Sequence, residues 1–67
     1  MKIELNNEPV SLSDDTKSVA ELLADRGVKS GGTAVSVNNR IVRHGDWEHT
    51  MLHEGDRVVI ITAAFGG

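Results

Sequence analysis

The chain reads as an α+β domain in which one main helix packs on a mixed sheet of four or five strands. Three patterns carry that reading. Residues near the start, and again around Val35, alternate apolar and polar with a period of two, as half-buried strands do. Val19, Leu22, Leu23 and Arg26 fall at i, i+3, i+4 and i+7, one stripe of a single short helix. Residues 57–62, Arg-Val-Val-Ile-Ile-Thr, form a β-branched run that is apolar on both faces, the signature of a central strand.

Each element follows from its residues. Met1, Ile3 and Leu5 share one face of an extended segment and Lys2 and Glu4 the other. Asn6-Asn7 suits a tight turn because Asn tolerates the left-handed backbone. Pro9 marks the start or edge of a second strand carrying Val10 and Leu12, so residues 1–12 form a hairpin. Ser18 and Glu21 are spaced as a capping box, and Asp14-Asp15 ahead of them favour the positive end of the helix dipole. Arg26 can lay its stem along the apolar stripe, and Gly27 is the stop. The helix is too short to stand alone and must be held by packing. Val35 and Val37 form a third strand, Asn38-Asn39 a second turn, and Ile41-Val42 the return. Trp47, Met51 and Leu52 are scattered apolar anchors in an irregular region, with Trp47 plugging a small satellite core. Gly55-Asp56 turns into the last strand. Residues 63–67 are expected to be a flexible C-terminal tail on a single domain spanning 1–67.

Composition narrows the function. At 67 residues the chain is one domain with a small core. With no Cys it has no disulfide framework, thiolate zinc site or cysteine nucleophile, which fits a reducing cytoplasm. No apolar run approaches a membrane span, and the opening alternation lacks the long apolar stretch of a signal peptide. Net charge is −3 with the basic residues scattered, which argues against nucleic-acid binding and suits solubility or a basic partner. His44, His49 and His53 read as solvated loop residues, since the rest of a metal-ligand set is missing. Gly31-Gly32 lacks the Lys and Ser/Thr spacing of a phosphate loop.

The informative feature is the end. Gly66-Gly67 follows a β-strand with nothing after it. Five extended residues reach about 16 Å. Glycines lack Cβ atoms, so Gly66 and Gly67 can thread a narrow channel in torsions closed to other residues. A terminal carboxylate delivered there can meet an ATP α-phosphate; adenylation creates a good leaving group, and a sulfur nucleophile can follow. On the last strand, Val58 and Ile60 share one face and Val59 and Ile61 the other. One helix covers one face, so Val59 and Ile61 are candidate docking residues on the open side.

The whole chain resembles the ThiS family, the sulfur carriers of thiamine biosynthesis. The resemblance rests on the hairpin 1–12, Ser18-Val19-Ala20-Glu21-Leu22-Leu23, Val35-Ser36-Val37-Asn38-Asn39 and Ile41-Val42-Arg43. It continues through Trp47, Leu52-His53-Glu54-Gly55-Asp56 and Gly66-Gly67. It implies a ubiquitin-like β-grasp fold and no bound cofactor. It also implies adenylation of the Gly67 carboxylate by a ThiF-type adenylyltransferase using ATP and magnesium. A sulfur-donating enzyme then gives a thiocarboxylate, and thiazole synthase (ThiG) consumes it. Gly66, Phe65 and Ala64 would give access to the partner's site, with Phe65 seated either in an apolar pocket of that enzyme or on the domain itself. Asn39 stands where the family's turn often has Gly, and Val59 where a polar residue is common. The same end would also serve a molybdopterin-synthase small subunit, or a ubiquitin-like modifier or tRNA-thiolation carrier. A TGS-like binding module would not need a free Gly-Gly.

Overall fold

The computed structural model describes residues 1–29 and 31–62. The expected tail, with Ala64, Phe65, Gly66 and Gly67, lies outside them.

Five strands and one helix form in the order β1 (Lys2–Leu5), β2 (Glu8–Ser11), α1 (Val19–Asp25), β3 (Thr33–Val37), β4 (Arg40–Val42) and β5 (Arg57–Thr62), with a 3-10 turn at His44–Asp46 before β5. The sheet order is β2-β1-β5-β3-β4. β5 is central, parallel to β1 and antiparallel to β3, while the two hairpins are antiparallel. A mixed five-stranded sheet crossed by one helix is the β-grasp arrangement.

Both hairpins turn on the same chemistry. Leu5 pairs with Glu8 and Val37 with Arg40, leaving two residues in each turn. Those residues are Asn6 and Asn7 (φ 49° and 69°) and Asn38 and Asn39 (φ 50° and 69°). Positive φ at both central positions gives the turn twist that matches the strands, and Asn reaches it more easily than any other non-glycine residue. Asn39 therefore does the work of the expected glycine.

The helix is held at both ends. Its first four N–H groups have no partner inside a helix, and here each finds one. Ser18 N–H donates to Glu21 Oε1 at 3.0 Å, Val19 N–H to the Thr50 carbonyl at 3.0 Å, Ala20 N–H to the Trp47 carbonyl at 3.1 Å, and Glu21 N–H to Ser18 Oγ at 3.1 Å. The capping box is thus present, reinforced by the 47–50 segment. Asp14 and Asp15 sit in an exposed turn further upstream, and the acidic residue of the first helical turn is Glu21. At the other end Gly27 adopts φ 68°, its N–H donates to the Ala24 carbonyl, and Val28 N–H donates to the Leu23 carbonyl. That pair of bonds is the Schellman closure. Arg26 is the exposed C-cap, and the buried residues of the stripe are Val19, Leu22 and Leu23.

The core lies between the helix and one sheet face. Ile3, Leu12, Val19, Leu22, Leu23, Val35, Trp47, Leu52 and Val58 form one buried cluster. Trp47 belongs to this main core and not to a satellite. The helix's N-terminal N–H groups draw the 47–50 backbone against α1, and Trp47 Nε1–H donates to the Val42 carbonyl at 3.0 Å. Its ring lies 4.3 Å from that of His44. Met51 is no anchor: its backbone bridges Ser18 and its side chain is exposed.

Leu22 is fully buried. Leu22→Ala is expected to cost about 2–5 kcal/mol by denaturant titration, against the about 3–5 kcal/mol that a core of this size supplies. Glu21 carries a pH dependence. The Lys17 N–H donating to its carboxylate, with the Ser18 bonds, lowers its pKa from the ordinary 4.5. The folded state then holds fewer protons than the unfolded one, so stability from this group is present above pH 4.5 and lost as pH falls through the lowered value. As pH falls below 4.5, wild type should lose stability more steeply than Glu21→Gln in thermal melts.

Candidate functional site

The register of the sheet assigns its two faces. Val35 lies opposite Ile60 and Val37 opposite Val58, so these side chains point to the helix. Ala34 lies opposite Ile61 and Ser36 opposite both Val59 and Ile41, so these point away from it. Nothing among the described residues covers this outer face. Ile61 is 62% exposed and Ile41 82% exposed, among the largest apolar exposures in the domain, while Val59 is half-buried. Together with Ala34, Ser36 and Asn39 they line a shallow groove of about 320 Å³.

The two docking residues expected from alternation thus share one face. Ile41 and Ala34 lie on this face as well, and the sequence holds the signal for Ile41. A two-residue turn at Asn38-Asn39 fixes Ser36 opposite Ile41, which puts Ile41 on the face away from Val35. Farther along the same face the surface turns polar, where Arg57 Nε–H donates to Glu4 Oε2 at 2.8 Å. β5 runs from this polar end to Thr62, paired with Thr33. The residues expected to react or to give access, Gly67, Gly66, Phe65 and Ala64, follow Thr62 and lie outside the described residues.

Other constellations do not converge. His44, His49 and His53 are exposed at separate points, and among the described residues no three His, Asp or Glu side chains gather as a metal site. His53 and Asp56 instead close a turn, with His53 N–H donating to Asp56 Oδ2 at 2.8 Å. The helix N-terminus offers no open donor for a phosphate, since each of its four N–H groups is taken. No helix among the described residues is long and apolar enough to cross a membrane.

Fold and surface define a small β-grasp domain that presents one open, partly apolar sheet face beside the strand leading to its last residues. The ThiS family model matches residues 2–67, and the chain belongs to that family. Membership supports a sulfur carrier of thiamine biosynthesis that works with partner enzymes of that pathway. Two solved structures share the fold. One is the crystal structure of a thiamine biosynthesis protein (ThiS) from Geobacter metallireducens, at 23% identity and TM-score 0.83, with 100% of each chain covered. The other is the NMR solution structure of a thiamine biosynthesis protein from the same organism, at 23% identity and TM-score 0.82, covering 100% of this chain and 88% of that one. No curated protein sequence matches the chain significantly.

Because Ile61 is largely exposed and Thr keeps the β-branch, Ile61→Thr is expected to leave unfolding free energy within about 0.5 kcal/mol of wild type. Chemical denaturation checks this.

Proposed function

We propose that this chain carries sulfur for thiazole formation in thiamine biosynthesis, and that Gly67 is its one chemically transformed residue. The family match, which runs through Gly66 and Gly67, is the observation that carries this reading. A carboxylate is a poor acyl donor, so a ThiF-type adenylyltransferase first activates it. The Gly67 carboxylate oxygen attacks the α-phosphorus of ATP, with magnesium balancing the phosphate charge, and pyrophosphate leaves. Sulfide released by a sulfur-donating enzyme then attacks the acyl carbon, a C–S bond forms and AMP departs. The resulting thiocarboxylate passes its sulfur to thiazole synthase (ThiG).

In this scheme the domain is substrate and handle, not catalyst. Residues 63–67 supply reach, and Gly66 and Gly67 present no Cβ to a narrow channel. The outer face around Val59, Ile61 and Ile41 supplies the apolar contact that orients the domain on the activating enzyme. Apolar area held by a few central side chains is what such contacts depend on.

The experiment is intact mass after incubation with ATP, magnesium, a ThiF-type adenylyltransferase and a sulfur source. Exchange of one oxygen for sulfur adds nearly the same mass as oxidation of Met1 or Met51. The change is therefore located by fragmentation, or trapped with a thiocarboxylate-selective reagent. A thiocarboxylate at Gly67, abolished by deleting Gly67, is the expected outcome. Ile61→Thr should raise the KM for adenylation several-fold while the fold is retained. An unmodified Gly67, with the activating enzyme shown competent on another carrier, would overturn the reading.

A further inference from the structure

β5 is hydrogen-bonded along both sides, but not over the same length. On the β3 side the pairing runs from Val58 to Thr62. On the β1 side it covers only Arg57 and Val58, opposite Glu4 and Leu5, because β1 ends at Leu5. Asn6 takes over from there. Its backbone N–H donates to the Val58 carbonyl at 2.9 Å. Its side chain then reaches the next peptide facing that side. Oδ1 accepts from Ile60 N–H at 2.8 Å, and Nδ2 donates to the Ile60 carbonyl at 3.3 Å.

A side-chain amide carries the same donor and acceptor as a peptide group. Asn6 therefore adds one more rung to the parallel ladder, two residues before β5 ends at Thr62. Its backbone has φ 49°, which the turn requires. Gly could take that φ but brings no amide. Asp could accept from Ile60 N–H but not donate to its carbonyl.

We infer that Asn6 is a positioning residue for the chemistry proposed at Gly67: by pinning Ile60 it fixes where, and in which direction, β5 hands the chain on to residues 63–67. The inference rests on the proposed function. Gly67 lies five residues beyond Thr62, a reach of at most about 18 Å. Freed on the β1 side, Ile60 to Thr62 are held by β3 alone, and the point from which the chain leaves β5 is less fixed. Delivery of its carboxylate into a partner's site then costs more conformational entropy.

The molecule contains its own control. Asn38 occupies the same turn position at φ 50° and grips the opposite end of β5. Its Oδ1 accepts from Arg57 N–H at 2.9 Å, and its Nδ2 donates to Asp56 Oδ1 at 3.0 Å. Asn38→Gly thus removes one bond to the first N–H of the same strand and one to the side chain just before it, far from its exit.

The test compares Asn6→Gly, Asn6→Asp and Asn38→Gly in the full chain, by amide hydrogen exchange and by KM and kcat for adenylation. Asn6→Gly is expected to speed exchange at Ile60 about tenfold, the size of one lost hydrogen bond. It should raise KM several-fold with kcat little changed. Asn6→Asp should fall between, and Asn38→Gly should keep the wild-type KM. Equal KM shifts in Asn6→Gly and Asn38→Gly would mean loss of stability alone and would overturn the inference, as would unchanged exchange at Ile60. A wild-type chain that is never adenylated sinks the function reading instead. Exchange at Ile60 in Asn6→Gly then judges the pin by itself, release supporting it and protection refuting it.

Discussion

β5 is the strand to which both hairpins are bonded, β1 along one side in parallel and β3 along the other in antiparallel. Neither hairpin touches the other in the sheet, so the register of each against β5 decides whether the two halves present a common face. A slip of one residue would turn every inward side chain outward. The central strand cannot resist such a slip by pattern, since it is apolar on both faces. Resistance comes from the turns. Asn6 and Asn38 each place a side-chain amide on a β5 peptide, and those contacts exist at one register only. The helix then closes over a face already defined, with Val58 and Val35 beneath Leu22 and Val19 in one buried cluster.

Among the described residues a single seven-residue α-helix faces five strands, and it can cover only one side of them. The consequence is an outer face where Val59, Ile61 and Ile41 remain available, on the very strand that leads to the final residues. In a larger domain a second helical layer would bury such residues. Here size itself leaves an apolar surface on the strand that precedes residues 63–67. The helix contributes nothing to ligand binding at its N-terminus, because the 47–50 segment and the capping box have consumed its free donors.

Much of this is legible in the sequence where the determinants are local. The Asn-Asn turns, the Ser18/Glu21 box and Gly27 as helix stop depend on backbone torsions or on contacts within four residues. The split of β5 into two faces depends only on period two. What escapes is long-range. Trp47 enters the main core because helix N–H groups across the fold bind the carbonyls of Trp47 and Thr50. Met51 looks like its neighbour Leu52 in composition, yet its backbone bridge to Ser18 leaves the side chain exposed. The Asn6 contact to Ile60 joins residues 54 positions apart. No local pattern marks an Asn that both turns the chain and extends a ladder.

The carboxylates of the described residues show how the chemistry is divided. Glu21 accepts from the backbone of Lys17 and Ser18, Asp56 from His53 and Asn38, Glu54 from Lys2, and Glu4 pairs with Arg57. Each of these four holds backbone or side-chain groups of the fold together. In the proposed scheme the reacting group is none of these. The Gly67 carboxylate proposed for that role is inert in water until an enzyme supplies the adenylate, which lets a carrier travel between partners without reacting on the way. What the described residues contribute is geometric: a central strand bonded on both sides, an open and partly apolar face, and a side-chain rung at Ile60. Preorganisation of this kind lowers the entropy lost on entering a partner's site, and it requires no catalytic group in the carrier at all.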